Sequence, residues 1–334
     1  MADYPAKAVN QRRVMVLGAS GQIGVFAIPR LLNAGFDVVA VSRQPQPSYL
    51  PQSPHLRWLS FKEALQAQTN ADQPNTGPAK AGQSGMDQQN QACSYLLSAG
   101  PMSLAIQAMR ASNTFKQAVI FSSSSVLSKR DSADPAEKQL ISSMRSCEQE
   151  LEALVRQHNK RVGSNALNMV IFRPTLIYGC GLDANISRLA GLINRFGLMP
   201  VNGKGSGLRQ PVHADDLARV AVSTLTYKLD LPAKLLLTGG STISYYDMVK
   251  AIFKGLKKPV RIIRVPQWLL LTAISILKPL GLAGGVSVAM VKRQLQDLEF
   301  DNSQAQQLLG FQPRPFAPGK KDFEIPGSNN DKAD

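Results

Sequence analysis

Apolar positions along the chain follow two periods. Short apolar runs stand at RVMVLG (13–18), FDVVAVSR (36–43), HLRWLS (55–60), SYLLSAG (94–100), QAVIFSS (117–123) and NMVIFRPTLIYG (168–179). Each reads as a strand, HLRWLS being the candidate third. Between them, apolar residues recur three and four apart. GQIGVFAIPRLLNAG closes on a glycine and predicts an amphipathic helix disturbed at Pro29. AEKQLISSMRSCEQELEALVRQ, after the fifth run, predicts a longer helix. Strands alternating with helices imply right-handed crossovers. The expected class is α/β, a doubly wound parallel sheet.

The pattern changes from about residue 181 to loops and helices, with one further apolar run at AKLLLTGG (233–240). Residues 13–180 therefore read as the sheet domain and 181–316 as a smaller C-terminal lobe able to share strands with it. Residues 66–92 are rich in Gln, Asn and Gly and read as a flexible insertion. Residues 1–12 and 317–334 read as flexible ends.

Charge narrows the partners. The chain of 334 residues carries 38 Lys+Arg against 23 Asp+Glu, a formal net of +15. Nucleic acid is not expected, because no zinc-finger spacing, basic heptad helix or aromatic RNA-binding signature accompanies the charge. Anionic small molecules or an anionic membrane surface fit it. Cys93, Cys147 and Cys180 form no paired framework, and MADYPAKAVNQRR has no apolar signal region. A cytoplasmic location is expected. His55, His158 and His213 are too scattered to suggest a metal site.

VMVLGASGQIG places Gly18, Gly21 and Gly24 between a strand and a helix start. The first glycine permits a tight turn, the second lets backbone approach a pyrophosphate, and the third lets helix pack on sheet. Helix N–H groups then face the phosphate, with Ser20, Gln22 and Ile23 beside it. At the end of the second strand, NAD would be met by an acidic residue. Here Ser42 and Arg43 stand instead, a pair suited to the 2′-phosphate of NADP(H), which is expected over NAD(H).

In order, these motifs resemble the extended short-chain dehydrogenase/reductase family, the NAD-dependent epimerase/dehydratase group acting on nucleotide sugars. The resemblance runs from about Arg13 to Phe316 and implies a Rossmann dinucleotide-binding domain. SAGP puts Ser98, Ala99 and Gly100 where the family's fourth strand meets the cofactor. VIFSSSSVL is similar to its serine-rich fifth strand, and FRPTLIYG, with Arg173, Pro174 and Tyr178, to its RPxxxYG segment. RQPVHADDLA (209–218) and FDNSQAQQLLGFQP (300–313) resemble two later motifs.

The family pairs a serine or threonine on that strand with Tyr-x-x-x-Lys on the next helix, where i and i+4 share a face. The resemblance puts the catalytic hydroxyl on Ser123, with Ser124 beside it. The tyrosine and lysine fall on Leu140 and Met144, or on Met144 and Glu148, so the pair is absent. Lys129, Arg130, Asp131, Glu148 and Tyr178 are substitute groups in principle, each also readable as a surface charge or a packing residue. Tyr246 and Lys250 have the family spacing but lie in the second lobe, which reads as coincidence. The Asp215–Asp216 pair reads as a helix cap.

On the substrate side, the resemblance puts Arg209 on a nucleotide-sugar diphosphate, and Arg293 is available as the second guanidinium, either one also readable as a structural salt bridge. Tyr178, Asn185 and Arg188 line the lobe in this reading. KGLKKPVRIIR (254–264) leads into VPQWLLLTAISIL, too short to span a bilayer of about 30 Å. Residues 254–290 are readable as a lid of the lobe or as a peripheral membrane contact, and a homodimer stays open. The expected function is a nucleotide-sugar epimerase, dehydratase or reductase with an unusual catalytic set. The alternative is an NADP(H)-binding sensor or scaffold without catalysis.

Overall fold

The computed structural model describes residues 12–72, 92–130, 132, 134–162, 166–227, 230–277 and 288–326. The chain divides into two compact units. Unit 1 comprises Met1–Ser122, Ser146–Phe172 and Ala218–Lys234, and unit 2 comprises Ser123–Arg145, Arg173–Leu217 and Leu235–Asp334. This differs from a division near residue 180, because the chain leaves unit 1 at the end of its fifth strand and returns within the following helix.

Unit 1 opens with β1 (Arg12–Leu17), α1 (Gln22–Asn33), β2 (Phe36–Val41), β3 (Leu56–Leu59) and α2 (Phe61–Asp72). β4 (Tyr95–Ser98), α3 (Met102–Ala111) and β5 (Gln117–Phe121) follow. Next come α4 (Ser125–Ser128), α5 (Pro135–Val162) and β6 (Asn168–Pro174). The later elements are β7 (Ile177–Tyr178), α6 (Ile186–Phe196), β8 (Met199–Asn202), β9 (Leu208–Arg209), β10 (Val212–His213) and α7 (Ala214–Thr226). They continue with β11 (Lys234–Leu237), β12 (Ile243–Ser244), α8 (Tyr245–Gly255), β13 (Ile262–Val265), α9 (Gln267–Leu277), α10 (Val288–Arg293) and α11 (Ser303–Leu309).

Seven strands form one sheet in the order β3-β2-β1-β4-β5-β6-β11, with parallel pairing from β3 to β6. Ile171 N–H bonds the Ala233 carbonyl and Thr175 N–H that of Leu237, so β11 runs the same way. The order reverses between β1 and β4, and it is outside the carboxyl ends of such a pair that ligands bind in open α/β sheets. Central β1 buries Val14 to Leu17 completely, which explains its unbroken apolar run. α1 continues through Pro29 and buries Ile23, Gly24, Ala27, Ile28 and Leu31 against the sheet.

Two stretches expected to be flexible are partly ordered. α2 reaches Asp72, and within it Gln68 is 2% exposed because its amide reaches the Cys93 carbonyl and the Ser112 and Thr114 hydroxyls. Residues 73–91 of the expected insertion lie outside the described residues, as do 1–11 and 327–334. The tail up to residue 326 contains a 3-10 turn at Lys320–Phe323. Asp322 in that turn accepts the Gly319 N–H at 2.8 Å and meets His213 Nε2 at 3.1 Å.

In unit 2, α6 and α8 present Ile186, Ala190 and Ile193 and Met248, Val249, Ile252 and Phe253 to one core with Tyr178, Met199, Val201 and Phe316. α8 starts at an N-cap where Ser244 Oγ accepts the Asp247 N–H. Three two-stranded ribbons complete it: β7 with β10, β9 with β12, and β8 with β13.

Candidate active site

The chain turns at Gly18 with φ +78°, left-handed backbone that L side chains rarely adopt. A Cβ there would stand 2.7 Å from the Gly100 nitrogen and 2.8 Å from the Ala99 carbonyl carbon. The loops after β1 and β4 thus meet backbone to backbone, and Ala99 N–H donates to the Leu17 carbonyl at 2.9 Å. Gly21 is the N-cap of α1 and contributes no capping side chain. Gly24 packs so closely that a Cβ would lie 2.5 Å from the Gly18 and Ala19 carbonyl oxygens. No carboxylate occupies the first turn of α1. A helix start of this kind presents N–H groups and partial positive charge to an anion.

Ser98 ends β4 beside this loop, is 0% exposed, and its Oγ has no hydrogen-bond partner among the described residues. A buried hydroxyl in this state costs free energy until a polar group meets it. On the other side, Ser20 Oγ and Ser42 Oγ lie 2.8 Å apart, tying the loop to the end of β2. Ser42 Oγ also accepts the Gln44 N–H at 3.0 Å, and Arg43 is exposed beside it. The loop, Ser98 and the end of β2 all belong to unit 1. Together they form a cradle able to hold a diphosphate and the ribose next to it.

The four serines after β5 have different roles. Ser122 N–H bonds the Phe172 carbonyl at 2.8 Å, and its hydroxyl donates to Glu148 Oε1 at 2.6 Å. Glu148 is 2% exposed, so its reading as a surface charge is corrected: a hydroxyl partner makes its burial tolerable. Ser123 Oγ accepts the Ser125 N–H at 3.1 Å, which engages a lone pair and not the hydroxyl proton. Ser124 is 7% exposed and its N–H bonds the Pro174 carbonyl at 2.9 Å. Leu140, on α5, is 59% exposed, and Met144 is half-buried. Neither offers an ionisable group.

Among the substitute groups, Lys129 pairs with Glu137 at 2.8 Å, Arg130 is exposed, and Asp131 lies outside the described residues. Tyr178, expected to line the substrate lobe, is sealed in its core at 1% exposure. It stands edge-on to His213 and Phe316, with centroids 5.0 and 4.9 Å away. Burial pushes its phenol well above the ordinary range. His213 takes the Asp215 N–H on Nδ1 at 3.0 Å and faces Asp322 through Nε2. Asp215 and Asp216, at the start of α7, hold the Arg314 guanidinium, each at 2.8 Å.

The two arginines expected on a diphosphate are both engaged within unit 2. Arg209 is 7% exposed and donates to the carbonyls of Leu208 at 2.6 Å, Gln296 at 2.7 Å and Arg293 at 2.5 Å. It ties β9 to the segment following α10, a structural role in place of the expected one. Arg293 Nη1 contacts both Glu137 oxygens, at 2.9 and 2.7 Å. Burial raises the Glu137 carboxyl, but Lys129, the Ser132 hydroxyl and Arg293 outweigh it and hold the group at about 2. Asn185 is exposed at the N-cap of α6, and Arg188, one turn on, is half-buried. Arg188 Nη2 reaches Met290 Sδ at 3.7 Å. The burial of Glu148 has no local sequence signal, because Ser122 lies 26 residues away. Of the Glu137 partners, Lys129 and Ser132 are near in sequence, while Arg293 lies 156 residues away.

A family model described as the NAD dependent epimerase/dehydratase family matches residues 14–233. A UDP-glucose 4-epimerase of Vibrio cholerae is 27% identical over 149 residues, which are 45% of this chain and 43% of that protein. The chain is therefore matched over less than half the length of that curated relative. Among solved structures, an epimerase from Methanothermobacter thermautotrophicus has a TM-score of 0.65 at 13% identity, covering 94% of this chain and 91% of that one. A UDP-glucuronic acid 4-epimerase from Bacillus cereus, solved with UDP-glucuronic acid and NAD, has a TM-score of 0.60 at 16% identity, covering 91% and 94%. At these identities the solved structures speak for the fold.

Proposed function

Because the chain belongs to the NAD dependent epimerase/dehydratase family, we propose that it holds a nicotinamide dinucleotide at the β1–α1 loop and acts on a nucleotide-linked sugar. The observation carrying this reading is the cradle itself. Gly18 pressed on Gly100, the uncapped start of α1 and the unpartnered Ser98 hydroxyl fit a diphosphate and its ribose. Gly18, Ser20, Gly21, Gln22, Ile23 and Gly24 would take the diphosphate, and Ser98, Ala99 and Gly100 the β4 side. Arg173 and Pro174 complete the set by family resemblance. At the 2′-position, Arg43 supports NADP(H) by its charge, while the Bacillus cereus relative was solved with NAD. Arg43 is the residue whose replacement separates the two.

The dinucleotide would supply the hydride acceptor and donor. The chain's own residues orient and polarise. Ser123 keeps its hydroxyl proton to give a hydrogen bond to a substrate oxygen, and the buried Ser122–Glu148 pair fixes the serine run where it leaves β5. Arg188 and Asn185 supply polar groups toward the sugar nucleotide, and Arg293 would take a phosphate by exchanging it for Glu137. A positioned acid–base group is worth about 10²–10⁴ in rate. With Leu140 and Met144, or Met144 and Glu148, at the tyrosine and lysine positions, turnover falls below that of a complete Tyr-x-x-x-Lys set by a factor of this order.

The same two positions favour a second reading, a cofactor-binding sensor or scaffold that performs no chemistry. Titration with NADPH and NADH, followed by incubation with UDP-glucose, UDP-glucuronic acid and other UDP- and dTDP-sugars, separates the readings. A sugar product whose rate drops in Ser123→Ala supports the enzyme. Cofactor binding with no product from any sugar supports the sensor.

A further inference from the structure

Apart from Arg293, the segment after α8 forms a surface that the proposed chemistry does not use. Nine Lys and Arg and no Asp or Glu stand between Asp247 and Asp297. α9 reads QWLLLTAISIL, apolar nearly all round, a pattern that ordinarily means burial on every side. Here it is exposed: Trp268 is 68% exposed, Leu269 45% and Ile276 61%, while Ile274 is buried. Leu269, Ala273 and Ile276 follow the spacing of one helix face.

The β8–β13 ribbon that leads into α9 also carries exposed apolar residues. Ile263 pairs with Pro200 in register, and both point outward while Met199 and Val201 go to the core. Ile263 is 50% exposed, Val260 42% and Leu198 38%. Lys254, Lys257 and Arg261, on the stretch of chain that leads into β13, are exposed. Lys258 Nζ caps the Asn194 carbonyl at the end of α6.

We infer that α9 and the outer face of the β8–β13 ribbon dock on an anionic lipid bilayer surface, with the aliphatic and indole side chains among the headgroups and the cations against lipid phosphates. The pairing of an apolar helix face with a basic segment that carries no Asp or Glu of its own is complementary to such a surface. It opposes a second copy of the chain, because a two-fold contact would set the same cations against themselves. No helix among the described residues is long and apolar enough to cross a membrane. At 11 residues α9 extends for only about 16 Å, so the contact is peripheral.

The inference is independent of the catalytic reading. Full-length protein is sedimented with vesicles of phosphatidylcholine alone and of phosphatidylcholine with phosphatidylserine, with its oligomeric state followed by light scattering. Binding is expected only to the anionic vesicles, weakening with salt as charge screening shortens. The double variant K257Q/R261Q weakens it about 25-fold, roughly fivefold for each cation removed. W268S/I276S abolishes it while the urea midpoint stays near wild type. In a Trp58→Phe background the remaining Trp268 emission shifts to the blue on binding. Equal binding to both vesicles, or binding that neither double variant alters, overturns the inference. So does a concentration-dependent dimer broken by W268S/I276S without vesicle binding.

Discussion

Gly18 carries two separable constraints, and three glycine-to-alanine variants isolate them. Gly35 has φ +79° with nothing within 4 Å of a built Cβ, so Gly35→Ala incurs the left-handed backbone cost alone, about 1–2 kcal/mol. Gly24 has ordinary backbone but a Cβ would lie 2.5 Å from two carbonyl oxygens, so Gly24→Ala reports overpacking, about 1–3 kcal/mol, less up to about 1 kcal/mol regained in helix propensity. Gly18→Ala suffers both, the conformational cost and a 2.7 Å approach to the Gly100 backbone, which cannot swing aside as a side chain would. The sum is about 2–5 kcal/mol. Thermal unfolding followed by circular dichroism is the assay. Each kcal/mol lowers the midpoint by about 2–4 °C for a unit of this size, so Gly18→Ala should melt at least that far below Gly35→Ala. Equal midpoints would refute the close contact of the β1 and β4 loops, and with it the cradle built on that contact.

Other predictions address the remaining groups. Glu137, held at about 2 against an ordinary 4.5, contributes stability that is complete above about pH 4.5 and is lost as pH falls toward 2; Glu137→Gln should flatten acid unfolding over that window. Ser122→Ala removes a hydroxyl from a buried carboxylate and should cost about 1.5–3 kcal/mol in urea unfolding, whereas Ser132→Ala, whose carboxylate partner keeps Lys129 and Arg293, should cost less. Arg43→Ala should weaken NADPH about tenfold in fluorescence titration and leave NADH within twofold, as loss of one charge-assisted phosphate contact implies. If NADH weakens equally, Arg43 does not face a 2′-phosphate.

Much of the architecture was legible because it depends on local pattern. The central strands are unbroken apolar runs, and the glycine loop is legible from its spacing together with its place between a strand and an amphipathic helix. What was not legible depends on distant partners. Glu148 reads as a surface charge until β5 brings the Ser122 hydroxyl to it. Arg209 reads as a phosphate ligand until carbonyls of Arg293 and Gln296, more than eighty residues later, close around its guanidinium. Tyr178 ends an apolar run and looks like a pocket wall, yet Phe316 and His213 seal it. The Lys- and Gly-rich tail looks frayed because nothing in its composition reveals that Asp322 meets a buried histidine. Ser123 shows the same limit in reverse: the strand-end hydroxyl was visible, but its capping bond to Ser125 depends on the turn that follows.

The central claim is that the β1–α1 cradle holds a nicotinamide dinucleotide, and direct titration tests it. Wild-type protein should quench or enhance NADPH or NADH fluorescence saturably. Gly21→Asp, which sets a carboxylate at the N-cap of α1 where the diphosphate would lie, should remove the response while unit 1 remains folded by circular dichroism. Saturable binding that Gly21→Asp leaves unchanged, or no binding of either dinucleotide by the folded wild type, would contradict the account.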